Sequence, residues 1–383
     1  MKTKRLVILG STGSIGQQTL DVVRSLRDRF EVIGLAAGRN SSLLLEQAHE
    51  FKPKLICCEE TDARAALESA CGPGARWSTL EEQAAHPDAD LVVVGTVGKA
   101  GLGATLAALK AGKAVAIANK EVLVMAGALV TRAAARGKGQ LLPVDSEHSA
   151  IWQCLWGEKH SSISRVILTA SGGAFRDYTP EQLARVTPAD ALNHPTWQMG
   201  QKITVDSATL LNKGFEAIET RWLFDVPLER VEVVLHRESI IHSLVEFVDG
   251  SVKAQLGEPD MRLPIRIALC YPQRVANPGT PPLDLAHTGE LHFAPPDFRR
   301  FPALAVALKA GRHGGTYPAA LAAADEVAVA HFLDGHLSFT DIAHLLEDAL
   351  SEHRSAPDTE LGAILEADAW ARAYAEDWVR AKV

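Results

Sequence analysis

Residues 144–153, VDSEHSAIWQ, set two carboxylates, Asp145 and Glu147, two positions apart in apolar company. On an extended segment, residues i and i+2 project to one face, where like charges repel unless something positive lies between them. Three readings follow. A hard divalent cation such as Mg²⁺ or Mn²⁺ would be held by oxygen donors. A metal-free pair would serve as general acid and base. A solvated surface pair would do neither. No Cys/His cluster accompanies the acids, which argues against zinc.

A possible third carboxylate lies in DSATLLNKGFEAIE, residues 206–219. Read as a helix, this stretch sets Asn212, Lys213 and Glu216 on one face, with Leu211, Phe215, Ile218 and Trp222 as an apolar flank. Asn and Gly are poor mid-helix residues, and their place beside a Lys and a Glu points to a site rather than a solvated face. Ser207 falls near the expected helix start, where hydroxyls and free N–H groups bind phosphate. Ser171, Gly172 and Gly173 end a strand in a turn suited to an anion. His194, Pro195, Trp197 and Met199 fall where neither strand nor helix period is strong. That pattern reads as a mobile lid, with a core-packing Trp and an incidental His as the alternative.

The other end of the chemistry is a nucleotide. GSTGSIG, residues 10–16, follows an apolar strand and opens a helix, so its small residues let the backbone approach a pyrophosphate. Its spacing is GxxGxxG rather than GxGxxG. The next strand ends AAGRN, with Gly38, Arg39 and Asn40 and no acid for a ribose 2′-hydroxyl. An arginine there forks onto a 2′-phosphate, which favours NADP(H) over NAD(H); a solvated loop arginine is the bland reading. AIANKE, residues 116–121, ends a later strand in Asn119, Lys120 and Glu121, at the strand end where open α/β sheets bind ligands.

These residues need elements to hold them. Through residue 144 short apolar strands alternate with helical stretches, the signature of a parallel sheet covered on both faces, here a Rossmann-like nucleotide domain over 1–144. From 145 to 271 strands come in an order that permits antiparallel pairing beside a helix, giving an α+β catalytic domain with its lid near 190–201. Residues 272–302 carry seven prolines and read as a linker, and 303–383 as a helical domain. The fold class expected is therefore α/β with three parts.

Bulk properties bound the function. The 383 residues are 47% hydrophobic and 22% charged, ordinary for a soluble globular chain. A net charge of −8 argues against nucleic acid or an anionic membrane as partner, yet leaves a phosphorylated small molecule open. Five cysteines without a CxxC pair suit a reducing cytoplasm. No apolar run approaches the ~18 residues of a membrane span.

The motifs GSTGSIG, ANKE, VDSEHSAIWQCL, TASGGAF, HPTWQMGQKITVDSATLLNKGFEAIE, SIIHS and GTYPAALAAADEVAVAHFL together resemble the 1-deoxy-D-xylulose 5-phosphate reductoisomerase family, in matching order over essentially the whole chain. The resemblance implies an NADPH-dependent rearrangement and reduction to 2-C-methyl-D-erythritol 4-phosphate, using Mg²⁺, Mn²⁺ or Co²⁺, by a homodimer. It implies that Asp145, Glu147 and Glu216 hold the metal, and that Lys120, Ser146 and Glu147 contact substrate, with Asn212 and Lys213 on its hydroxyls. Ser171, His194, Ser207 and Asn212 would grip the phosphate under a lid of Trp197 and Met199. Thr12, Gly13, Ser14, Ile15, Gly38, Arg39, Asn40, Asn119, Glu121 and Gly200 would hold NADPH. The chain departs from the family pattern at Arg237 and Glu238 (commonly Pro-Gln), Gly103 (commonly Pro) and Asp325 (usually Asn). A structural role is expected for His148. The competing readings are another NADP-dependent dehydrogenase, of homoserine or semialdehyde type, and a cofactor-binding regulator without catalysis.

Overall fold

A computed structural model describes residues 3–276, 279 and 282–382. The chain forms two compact units, one from Met1–Val122, Val130–Ser149 and Asp260–Pro281, the other from Leu123–Leu129, Ala150–Pro259 and Pro282–Val383.

The first unit is built on seven parallel strands: β1 Lys4–Leu9, β2 Phe30–Ala37, β3 Leu55–Cys58, β4 Arg76–Trp77, β5 Leu91–Val94, β6 Ala114–Ile117 and β7 Gln140–Pro143. Their order is β4-β3-β2-β1-β5-β6-β7, with every neighbouring pair parallel. The unbroken burial of Leu6–Leu9 and Leu91–Val94 explains the uninterrupted apolar runs, since helices cover both faces of such a sheet. The chain runs outward from β1 to β4 and returns to the other side of β1 at β5. That reversal opens a crevice at the carboxyl ends of β1 and β5, where this topology binds nucleotides.

The helix Arg262–Cys270 comes back from much later in the sequence to pack on the helix Ser14–Ser25. Lys4 Nζ ties it down by donating to the Leu269 carbonyl at 2.6 Å. The stretch expected to be catalytic domain thus lends a helix to the nucleotide unit.

The second unit centres on β8 Ile163–Ala170, β9 Val231–Leu235, β10 Ile241–Phe247 and β11 Val252–Leu256. Their order is β11-β10-β8-β9; β10 runs antiparallel to both its neighbours, whereas β8 and β9 are parallel. The sheet packs on the helix Leu211–Phe224, and the C-terminal helices Pro302–His313, Tyr317–Leu333, Phe339–Glu352 and Leu361–Lys382 continue the same core. Val166, Leu168 and Val245 of the sheet belong to one cluster with Leu321, Leu345 and Ala371 of the helices. Tyr317–Leu333 is buried almost all round, which is why its sequence shows alanine rather than an amphipathic stripe. Within the proline-rich stretch, residues 277, 278, 280 and 281 lie outside the described residues. Further on, Ala294 bridges to Leu235 and covers the β9 edge. No described helix is long and apolar enough to cross a membrane.

Gly214 stands mid-helix for a packing reason, not a chemical one. A Cβ there would collide with the Cβ of Ala307 on the helix Pro302–His313, so glycine lets the two backbones approach. Gly214→Ala is expected to lower stability by about 1–3 kcal/mol through overpacking, despite alanine's better helix propensity. The double variant Gly214→Ala/Ala307→Gly should recover most of that loss in a urea titration, and no recovery would place the strain elsewhere.

Candidate active site

In the first unit, site residues collect where helices begin. Gly10 has φ +84°, and a Cβ there would press on the Gly95 carbonyl. A Cβ at Gly16 would strike the backbone of Gly10 and Ser11, so the helix can pack against the strand end only as glycine allows. Gly13 is the N-cap of Ser14–Ser25, with no side-chain cap and no acid in the first turn. Gly13 N donates to the Gly10 carbonyl at 3.1 Å, and the N–H groups that open the helix, at Ser14 and Ile15, are left for an anion. The turn is braced by Gln47, which accepts from Ser11 Oγ at 2.7 Å and donates to the Ser11 carbonyl at 2.9 Å. Sequence reading missed Gln47, because its partner lies on a different turn of chain.

Beyond β2, Gly38 is half-buried while Arg39 and Asn40 are exposed. Asn40 caps the helix Ser41–Phe51, its carboxamide oxygen accepting from Leu43 N at 3.1 Å. Arg39 makes no ion pair among the described residues, so its guanidinium is available to a phosphate.

Asn119 caps the helix Lys120–Gly137, accepting from Val122 N at 3.2 Å. Its amide nitrogen donates to Thr96 Oγ1 at 3.0 Å and the Gly98 carbonyl at 2.9 Å, pinning the loop after β5. Lys120 opens that helix, is 7% exposed, and forms an ion pair with Asp145. Glu121 follows in the first turn, half-buried.

The extended geometry expected for Asp145 and Glu147 is not what forms. The helix Ser146–Cys154 already includes Glu147, and Ser149 N donates to the Asp145 carbonyl at 2.8 Å, so Asp145 sits at the N-terminal boundary. The carboxylates flank a helix start, whose N–H groups and dipole favour negative charge. Ser146 Oγ donates to Glu147 at 2.6 Å. His148 is fully buried with Nδ1 3.9 Å from the Asp145 carboxylate, beside the site in a supporting position.

In the second unit, β8 ends in Ser171 and two left-handed glycines, Gly172 (φ +86°) and Gly173 (φ +68°). A Cβ on Gly173 would hit the Ser207 carbonyl, so glycine brings this loop against the helix Gln201–Thr209. Between them stands His194. Its Nε2 lies 3.1 Å from Ser171 Oγ and 3.2 Å from Ser207 Oγ. Its Nδ1 accepts from the backbone N–H of Thr196 at 3.1 Å and of Trp197 at 2.9 Å. Two donors on Nδ1 fix the proton on Nε2, so the imidazole donates toward the serines. Burial, then the charges of Arg176 and Lys213, push the His194 pKa down to about 4. This cradle is neutral yet rich in donors.

Ser207 is not near a helix start. Leu210, with φ +61°, closes Gln201–Thr209, and a second helix opens at Leu211. Asn212 and Lys213 occupy its first turn and bind Glu216 through Nδ2 at 2.6 Å and Nζ at 2.6 Å. The shared face expected for these three is therefore present. Glu216 is 1% exposed. Trp197 and Met199 are half-buried in an irregular segment that ends at Gly200, the N-cap of Gln201–Thr209, and the Trp197 ring is 6.3 Å from that of His242. Arg176, unnoticed in the sequence, donates to the Ser171 carbonyl at 3.2 Å and adds positive potential to the cradle. Its signal was three residues past the glycine turn, an arginine after Phe175.

Three family models match the chain: 1-deoxy-D-xylulose 5-phosphate reductoisomerase over residues 6–127, the C-terminal domain of that enzyme over 141–224, and DXP reductoisomerase C-terminal domain over 256–374. The 1-deoxy-D-xylulose 5-phosphate reductoisomerase of Pelotomaculum thermopropionicum is 51% identical over 376 residues, covering 96% of this chain and 97% of its own. That of Geobacillus kaustophilus is 52% identical over 379 residues, covering 97% and 98%. Among solved structures, the enzyme from Zymomonas mobilis in complex with NADPH superposes with a TM-score of 0.92 at 41% identity over 99% of both chains. A DOX-P reductoisomerase in complex with NADPH, fosmidomycin and magnesium gives 0.94 at 40% over 98% of both.

The cradle makes a direct prediction. A histidine held neutral by folding contributes stability above its unfolded value near 6.5, lost as pH falls from there through about 4. Nitrogen NMR of ring-labelled protein should show the proton on Nε2 and a midpoint near 4. A midpoint near 6.5 would mean that the imidazole is solvated and unheld.

Proposed function

The chain belongs to the 1-deoxy-D-xylulose 5-phosphate reductoisomerase family, and from that premise we propose how its residues share the work. The activity is the NADPH- and divalent-metal-dependent conversion of 1-deoxy-D-xylulose 5-phosphate to 2-C-methyl-D-erythritol 4-phosphate, a step in isoprenoid precursor synthesis. The observation that carries the residue assignments is the His194 cradle, in which a neutral Nε2–H and the hydroxyls of Ser171 and Ser207 converge as an anion would require. The alternative, a homoserine or semialdehyde dehydrogenase, is not favoured, since the family models and full-length relatives are reductoisomerases.

Ser171, His194, Ser207 and Asn212 are assigned to the substrate phosphate. Neutral imidazole donates a hydrogen bond there without the desolvation cost of a buried cation, and Arg176 and Lys213 supply the charge nearby. Lys213 and Asn212 also reach the substrate hydroxyls, and Trp197 and Met199 cover it and exclude water. Asp145, Glu147 and Glu216 are assigned to the metal. Their donor set fits a hard cation, since all three offer carboxylate oxygens, with no sulfur among them. Lys120 holds Asp145 in place, and Ser146 and Glu147 meet the substrate from the same helix start. When bound, the divalent cation supplies Lewis-acid polarisation of the substrate carbonyl and its neighbouring hydroxyl, and NADPH supplies the hydride.

The nucleotide fits the first unit on two observations. The helix Ser14–Ser25 opens without a side-chain cap, which suits a pyrophosphate on Thr12, Gly13, Ser14 and Ile15. Arg39, between Gly38 and Asn40, has no ion pair among the described residues, which suits a 2′-phosphate. Asn119, Glu121 and Gly200 are assigned to the nicotinamide end. For Asn119 this role runs through the loop it pins, since its side chain is 2% exposed.

A cytoplasmic homodimer completes the proposal. All five cysteines are free thiols, as a reducing compartment permits. In the sheet of the second unit, Ala294 covers the β9 edge while β11 is an edge strand without a further strand partner among the described residues, a surface suited to a second copy. Sedimentation at equilibrium should return twice the chain mass.

Two variants test the assignments by NADPH absorbance with 1-deoxy-D-xylulose 5-phosphate and Mn²⁺. Glu216→Gln should lower turnover by about 100-fold or more, with NADPH affinity nearly kept. Wild-type turnover in that variant removes Glu216 from the metal. Arg39→Asp should raise the KM for NADPH by about 10- to 100-fold and improve the relative use of NADH. An unchanged preference would mean that the 2′-phosphate is read elsewhere. Chelator should abolish turnover in the wild type, and added Mg²⁺ or Mn²⁺ should restore it.

A further inference from the structure

The helix Tyr317–Leu333 ends in HFLDGH, residues 331–336, and that ending is unusual in what it brings together. Gly335 takes the left-handed conformation at φ +78°. His336 N donates to the His331 carbonyl at 2.8 Å, and Gly335 N donates to the Phe332 carbonyl at 3.0 Å. These two bonds define a Schellman stop, which sets the side chain three residues inside the helix end beside the one just past the glycine. Ordinarily an apolar pair fills those positions. Here both are histidines, with Nδ1 facing Nδ1 at 3.2 Å.

A third residue fixes their chemistry. Glu376, on the helix Leu361–Lys382, lies 3.0 Å from His331 Nε2. A neutral His331 therefore carries its proton on Nε2 and turns the Nδ1 lone pair toward His336. Two imidazole nitrogens about 2.0–2.1 Å from one ion and 3.2 Å apart subtend about 100°, between square-planar and tetrahedral. A carboxylate behind the outer nitrogen is the arrangement that orients a ligating histidine and raises its basicity. His336 is exposed and His331 partly so, which leaves room for water to complete the coordination.

We propose that His331 and His336 form a chelate for a borderline divalent transition cation, Zn²⁺, Ni²⁺ or Cu²⁺, oriented by Glu376. Its nitrogen donors set it apart from the all-carboxylate set of Asp145, Glu147 and Glu216. Without the cation, a proton on His336 Nδ1 is donated to His331 and accounts for the 3.2 Å contact. Binding displaces that proton, so affinity falls in acid. A cation there would tie the end of Tyr317–Leu333 to Leu361–Lys382 through the His331–Glu376 contact.

The test is a calorimetric titration of Zn²⁺ into the full chain held in saturating Mg²⁺. Wild type should bind one zinc equivalent that His336→Ala lacks. Glu376→Gln should bind it about 10-fold or more weakly. The equivalent should persist in Glu216→Gln, and NADPH turnover with Mg²⁺ should be unchanged in His336→Ala. Identical isotherms for wild type and His336→Ala would overturn the proposal. So would an equivalent lost in Glu216→Gln but kept in His336→Ala, since it would then belong to the carboxylates.

Discussion

Leu210 is the constraint on which the second unit's chemistry turns. Its left-handed backbone costs about 1 kcal/mol for a residue with a Cβ, and burial of its side chain in the core of the second unit offsets that cost. Without the break, residues 201–224 would run as one helix. Positions 207 and 212 would then lie about 140° apart around its axis, with Ser207 and Asn212 on different faces. The break also creates a second helix start. There Leu211 N turns to Thr209 Oγ1 at 3.3 Å and Lys213 N to the Leu210 carbonyl at 3.1 Å, where a continuous helix would have spent both on the preceding turn. One strained residue thus supplies both the placement of Ser207 and a positive helix end beside it.

Charge is handled differently at the two kinds of polar group. Glu216 and Lys213 are almost wholly buried, and each would be costly alone; removing one partner of such a pair leaves an uncompensated charge at about 3–5 kcal/mol. Asn212 and Lys213 each take one oxygen of Glu216, so the carboxylate is oriented before any ligand arrives. His194 follows the opposite rule. Burial and two neighbouring cations keep it neutral, and backbone donors fix its tautomer, so it acts as a directed dipole at any physiological pH. The first unit repeats the first rule with Lys120 and Asp145.

Much of this was legible in the sequence, wherever local pattern and tertiary environment agree. The parallel sheet was readable because strands buried on both faces must be apolar throughout, and the glycine turn because Gly10 and Gly16 meet backbone on every side. What escaped has a common cause in contacts remote in sequence. Nothing in RLPIRIALC announces that it packs beside the helix Ser14–Ser25. A leucine gives no sign of left-handed backbone, so 206–219 read as one helix and Ser207 was placed at its start. Gly214 beside a Lys and a Glu reads in sequence as a mark of chemistry, whereas Ala307 explains it. The carboxylates Asp145 and Glu147 were read on an extended segment because a helix start after a short strand leaves no periodic trace.

The departures from the family pattern divide by burial. Arg237 pairs with Asp177 at 2.9 Å and Glu238 with His292 at 2.7 Å, both at solvent, where such pairs contribute at most about 1 kcal/mol. At Gly103 a Cβ would meet the Glu81 carboxylate, the movable end of a flexible side chain, so glycine is accommodated rather than required. Asp325 is different, being fully buried with its carboxylate 2.7 Å from Lys202 Nζ. The same ammonium lies 2.6 Å from the buried carboxylate of Asp206, next to Ser207. Where asparagine would hydrogen-bond, aspartate adds a second charge to one shared lysine. Lys202 thereby ties the helix Gln201–Thr209 to Tyr317–Leu333, and a change at the far end of the sequence bears on where Ser207 stands.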